Sequence, residues 1–104
     1  MKIGEVAGKE GIICPFCDFE HVSPTKVVVY PVDGKIECQI DHEGIRTKGY
    51  DNKKKPRGIT IGLQFACENG HVWVTNLNFY KGYTLLENKR IKRGKKSDIP
   101  IWRD

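Results

Sequence analysis

Residues 59–66 (Ile-Thr-Ile-Gly-Leu-Gln-Phe-Ala) alternate strictly, with Ile59, Ile61, Leu63 and Phe65 on one face. A period of two over a short segment predicts a half-buried β-strand. Residues 71–80 repeat the pattern, with Trp73, Leu77 and Phe79 on the face of His71. Residues 26–32 (Lys-Val-Val-Val-Tyr-Pro-Val) are rich in β-branched side chains and predict another strand. Asp33-Gly34 then supplies a two-residue hairpin turn, because Gly accepts positive φ at no steric cost. Residues 35–41 return as its partner strand, with Ile36, Cys38 and Ile40 alternating onto one face. Lys81-Gly82 turns the chain once more, and residues 83–87 (Tyr-Thr-Leu-Leu-Glu) predict a fifth strand. Residues 43–58, rich in Gly, Lys and Asp, predict a long flexible basic loop. No segment has helical periodicity. The pattern as a whole predicts a small all-β protein with an antiparallel sheet of about five strands.

Length sharpens this. With 104 residues of which 38% are hydrophobic, the chain fits one domain. A domain so small often needs a metal, disulfides or a partner to be stable. A large enzyme with separate cofactor and substrate domains is excluded. The longest apolar run, residues 27–32, falls far short of the ~20 residues that span a bilayer. No secretory signal opens the chain, so a reducing, cytoplasmic setting is expected, with neither a membrane nor a small-molecule substrate as partner.

The four cysteines and three histidines then carry the chemistry. In a reducing compartment, closely spaced Cys read as metal ligands and not as disulfides. Cys14-Pro15-Phe16-Cys17 has the C-x2-C spacing of a zinc knuckle, and Cys67-Glu68-Asn69-Gly70-His71 is C-x3-H with Asn-Gly at its bend. Together they form a Cys3His set, which suits one tetrahedral, structural Zn2+ and disfavours the hard ions magnesium and calcium. Cys38 and His42 share the C-x3-H spacing. Gln-Ile-Asp between them continues a strand, however, which holds positions four apart about 13 Å from each other. Cys38 therefore reads as a small buried hydrophobe, and His21 and His42 as surface or turn residues. These three stand as the alternatives for one ligand position.

Two rival chemistries fail on context. Cys-Pro-Phe-Cys resembles the redox centre of glutaredoxins, which needs a helix after it to lower the thiol pKa. The segment that follows is broken by Pro24. A catalytic zinc keeps an open coordination position. Four protein ligands leave none, and no Glu stands in an obvious general-base motif. The expectation is that the chain is not an enzyme.

Charge adds a second candidate site. The net charge of +5 is unevenly placed: −4 over residues 1–45, +5 over 46–57, −1 over 58–80 and +5 over 81–104. Such clusters attract polyanions by neutralising phosphates and releasing counterions. Lys-rich loops also serve solubility and shield sheet edges. On the first reading, Lys53, Lys54, Lys55 and Arg57 in the loop would contact phosphate. So would Lys92, Arg93, Lys95 and Lys96 in the tail, while Tyr50 stacks on bases. Three thiolates and one Zn2+ leave the metal site slightly anionic, so the site is not the anion-binding feature.

The motifs carry a resemblance. Two knuckles, the second at the tip of a β-hairpin, look like the zinc ribbon. Phe65-Ala66-Cys67-Glu68-Asn69-Gly70-His71-Val72-Trp73, followed by Phe79-Tyr80-Lys81-Gly82-Tyr83-Thr84, narrows it. This stretch resembles a group of short, mostly uncharacterised zinc-ribbon proteins of bacterial genomes and their phages or mobile elements. The match covers residues 12–17 and about 59–87. It implies a zinc-stabilised sheet and, for zinc ribbons broadly, binding to nucleic acid or protein. The expected organisation is a zinc-ribbon β domain over residues 1–88 and a basic tail over 89–104, ending in an apolar Ile-Pro-Ile-Trp patch that docks back or binds a partner. The expected function is a binding module, for DNA or RNA through the basic loop and tail. The alternative is a protein-interaction module of phage or mobile-element origin acting on a host protein.

Overall fold

The computed structural model describes residues 1–32, 36–49, 59–92 and 99–101. Eight strands run in order: β1 (Lys2–Val6), β2 (Lys9–Ile13), β3 (Val22–Val32), β4 (Ile36–Asp41), β5 (Gly44–Gly49), β6 (Ile59–Cys67), β7 (Val72–Tyr80) and β8 (Tyr83–Ile91). β1 and β2 form a two-stranded hairpin, and the rest form a six-stranded sheet in the order β5-β4-β3-β6-β7-β8. Every pairing is antiparallel. No helix occurs among the described residues.

The stripes read separately from the sequence fall on one face of one sheet. Across it runs a row Ile45, Ile40, Val27, Leu63, Thr75 and Asn88, each opposite the next. Beside it runs a second row: Thr47, Cys38, Val29, Ile61, Leu77 and Leu86. Neither row contains a charge. The other face alternates in kind, for example Arg46, Gln39, Val28, Gly62, Asn76 and Glu87. Side chains in a strand point alternately to opposite faces, so the register alone makes the sheet amphipathic.

Burial is concentrated at one end. Cys14, Phe65, Cys67 and Trp73 form the core cluster, with Ile12, Phe19, Val22 and Leu63 packed against it. Phe65 stacks on Trp73 with ring centroids 5.5 Å apart, and Phe16 meets Trp73 edge-on at 6.2 Å. Lys2 of β1 pairs with Asp18, which ties the hairpin to the first Cys segment. The core is thus built around cysteines, and not beside them.

The expectation of about five strands is corrected to eight among the described residues, for three physical reasons. β1 and β2 have glycines at their centres, Gly4 opposite Gly11, and their charged residues blur the alternation. β5 lies inside the segment 43–58 read as a loop. All six of its residues are exposed, so it carries no burial pattern and exists through its pairing with β4. β8 runs past Glu87 to Ile91, into the segment read as tail. As an outer strand it tolerates Lys89 and Arg90, the usual protection of a sheet edge.

β3 also starts earlier than Lys26, passing through Pro24. A register shift lies between Pro24 and Lys26, and a bulge accommodates a residue that lacks a backbone donor. β4 ends its pairing opposite Lys26, so Pro24 lies on an open stretch of β3. Its carbonyl accepts the Ile101 N–H at 3.0 Å. Ile99, Pro100 and Ile101 are half-buried, which is the docking outcome for that part of the apolar patch. The expected Asp33-Gly34 turn lies outside the described residues. The Val32–Ile36 pairing that flanks it is that of a hairpin.

Candidate metal centre

Cys14 follows β2 directly, and the chain turns at once. The Cys14 N–H donates to the Phe19 carbonyl at 3.0 Å, and the Cys14 carbonyl accepts the Asp18 N–H at 2.9 Å. Asp18 closes the turn at φ 60°, a left-handed conformation that Asp tolerates better than most residues. This curl brings the Cys17 thiol back beside that of Cys14.

Cys67 ends β6 and His71 precedes β7. The Cys67 N–H donates to the His71 carbonyl at 2.8 Å, and the Gly70 N–H donates to the Cys67 carbonyl at 2.9 Å. Gly70 has φ 92°, a region open to glycine and little else. The Asn-Gly bend therefore folds Cys67 and His71 together, as the sequence predicts. The Glu68 N–H donates to the His21 carbonyl at 3.2 Å, anchoring this turn beside the start of β3.

The two turns converge. The ligand atoms of Cys14, Cys17, Cys67 and His71 all lie within 4.8 Å of one another. Cys14 Sγ is 3.6 Å from His71 Nδ1, Cys17 Sγ is 3.5 Å from Cys67 Sγ, and Cys67 Sγ is 3.9 Å from His71 Nδ1. Around a tetrahedral zinc, Zn–S and Zn–N bonds of about 2.3 and 2.0–2.1 Å place neighbouring ligand atoms about 3.5–3.8 Å apart. These three separations lie close to those edges. The Cys17–Cys67 sulfur separation is far too long for a disulfide bond, whose sulfurs sit about 2.05 Å apart. The cluster can hold one metal ion such as zinc, with His71 offering Nδ1.

A donor shell surrounds the sulfurs. The Asn69 backbone N–H donates to Cys67 Sγ at 3.2 Å, and its side-chain amide donates to Cys17 Sγ at 3.6 Å. Sequence reasoning takes Asn69 only as a turn residue. The C-x3-H loop is so short that its central residues must lie against the ligands, and that is the signal the sequence holds. Partial burial acts to raise the Cys17 pKa, but donors from Asn69, Phe19 and the neighbouring thiols prevail and bring it down to about 6. Burial pushes Cys67 up to about 11, and the adjacent Cys17 and Cys14 add to the rise against the Asn69 N–H. The shifts run in opposite directions, so ionisation of Cys17 is favoured and that of Cys67 opposed. Metal binding displaces protons from the thiols, so affinity rises with pH and falls on acidification. Asn69→Ala should weaken zinc binding by about tenfold, the lower end of what losing such a hydrogen-bond partner costs. Competition against a chromogenic chelator would measure it.

Aromatic packing supports the ligands. Phe16 lies 5.9 Å from the His71 ring, and the Arg90 guanidinium sits 5.6 Å over Phe16. The alternative ligands are elsewhere. Cys38 faces Val29 and Thr47 within the sheet and is half-buried, where a small buried hydrophobe is expected. His42 lies at the turn between β4 and β5, 3.5 Å from Glu43. His21 is exposed against Phe19, with ring centroids 5.3 Å apart. Among the described residues no other such group of metal-binding side chains gathers.

Of the candidate nucleic-acid residues, Lys92 is described and exposed just beyond β8. Tyr50, Lys53, Lys54, Lys55, Arg57, Arg93, Lys95 and Lys96 lie outside the described residues. No protein-family model matches the chain, and no curated protein or solved structure is similar to it. The residues themselves establish a small all-β protein with a Cys3His cluster able to hold one metal ion.

Proposed function

We propose that this chain is a zinc-ribbon-like β module, stabilised by one structural Zn2+, that binds nucleic acid through its basic segments. The observation that carries the metal part is the gathering of three sulfurs and one imidazole nitrogen within 4.8 Å of one another. Four protein donors complete the coordination of zinc and leave no position for water or substrate. That supports a binding module over an enzyme.

The polyanion part rests on where positive charge sits. The outer strand β8 carries Lys89 and Arg90 and is followed by exposed Lys92. The opposite outer strand, β5, carries Arg46 and Lys48. Arg46 is held by Asp41 and Glu43, so Lys48 is the cation that strand can offer to an anion. Each outer strand runs in sequence straight into one of the two basic segments, 50–58 and 93–98. Phosphate contacts from Lys53, Lys54, Lys55, Arg57, Lys92, Arg93, Lys95 and Lys96 would give affinity with little sequence preference. Stacking by Tyr50 would favour single strands.

Fluorescence polarisation of zinc-loaded protein, with mixed-sequence single strands and duplexes over a salt series, tests this. Log affinity should fall linearly with log salt. Neutralising Lys53, Lys54, Lys55 and Arg57 together should reduce the slope by roughly one for each phosphate no longer neutralised. Absence of binding to DNA and RNA at low salt would remove the proposal.

A further inference from the structure

Among the described residues, the face of the six-stranded sheet that carries the two uncharged rows has no second layer over its outer strands. Ile45 on β5 is 72% exposed and Leu86 on β8 is 50% exposed, at opposite edges of the two apolar rows. A sheet with one apolar face ordinarily buries it against another layer.

We infer that the missing layer is a second copy of this chain, packed face to face as a two-fold β-sandwich. Charge selects this occupant. The protein carries +5, so two copies repel unless they meet through a neutral surface. The two rows carry no charge, and among the described residues the one charge on their face, Arg90, lies beyond them at the metal end, over Phe16; the opposite face presents Arg46, Glu87, Lys26, Asp41 and Lys89. A neutral apolar face is self-complementary, as a two-fold interface requires. It offers nothing to a phosphate backbone.

Area is sufficient. Six strands at about 4.8 Å spacing and about six residues of common length give a flat face of roughly 600 Å² per copy. Side-chain relief adds to that, so the pair reaches the roughly 1,200 Å² at which specific interfaces begin. The packing direction follows from the Cys14–Phe19 segment. Phe16 stands against Trp73 on this same face, at the metal end only. Two copies therefore avoid collision when their metal ends point apart.

The test uses adjacent residues of β8. Leu86 lies opposite Leu77 on the apolar face, and Leu85 lies opposite Asn78 on the other. Leu85 is 56% exposed, so the two differ in face and not in accessibility. Sedimentation equilibrium of zinc-loaded full-length protein across the micromolar range should show a monomer–dimer equilibrium. Leu86→Lys and Ile45→Lys should each weaken it by at least roughly tenfold, since each would bury an unpaired charge. Leu85→Lys should leave it unchanged, and circular dichroism should show all three folded. A monomer throughout overturns the proposal and assigns the face to a different partner. Equal disruption by Leu85→Lys also overturns it, because association would then run edge to edge along β8.

Discussion

Removing the metal with a strong chelator is expected to unfold the chain. The buried apolar residues gather where the metal ligands are: Cys14, Cys67, Phe65 and Trp73 are the core cluster. Away from that end the apolar side chains of the two rows are half-buried or exposed. Structural zinc supplies on the order of 10–16 kcal/mol of apparent binding free energy at neutral pH. The net stability of a domain is about 5–15 kcal/mol. The metal term therefore matches or exceeds the whole. Loss of near-ultraviolet signal from Trp73 and of β-sheet circular dichroism should coincide with metal release, and zinc should restore both. Acidification should do the same, because protons compete with the ion for its thiolates and imidazole. A chelated protein that kept its sheet would show that the apolar rows suffice without the metal.

Trp73→Ala is expected to be the most damaging substitution outside the ligands. Trp73 is fully buried, stacked on Phe65 and met edge-on by Phe16. Truncating a buried Trp costs about 3–5 kcal/mol through reduced burial and the cavity left behind. At about 4–8 °C per kcal/mol for a domain near this size, the melting temperature should fall by more than 10 °C even at saturating zinc. Trp73→Phe should cost less. It keeps an aromatic ring in the stack and removes the indole Nε1, which is buried without a hydrogen-bond partner. An unpaired buried donor costs roughly 1–3 kcal/mol, which offsets part of the packing that the smaller ring gives up. Thermal melts of the two variants side by side check both the burial and the orphaned donor.

The Cys3His set was legible because its ligands come as two local pairs, each closed by a turn the sequence spells out. Asn69-Gly70 bends one pair, and the shortness of Cys14–Cys17 confines the other. β6 and β7 were legible for a related reason. They are central enough that Leu63, Phe65, Trp73 and Leu77 recur at every second or fourth position on one face. β5 and the end of β8 were hidden because an outer strand can have both faces wet, so Ile45, Arg46 and Thr47 follow no burial rule. Their strand character comes from β4 and β7, a tertiary cause that local pattern does not carry. Asn69 as a thiolate donor was missed because a turn residue and a ligand-supporting residue look alike until the second pair of ligands arrives from 50 positions away.

The central claim is that Cys14, Cys17, Cys67 and His71 hold one zinc ion between two turns. X-ray absorption at the zinc edge of the purified protein tests it most directly. One zinc per chain should be coordinated by three sulfurs at about 2.3 Å and one imidazole nitrogen at about 2.0–2.1 Å. A shell of four sulfurs would put Cys38 in place of His71, and a shell dominated by oxygen and nitrogen would contradict the site altogether.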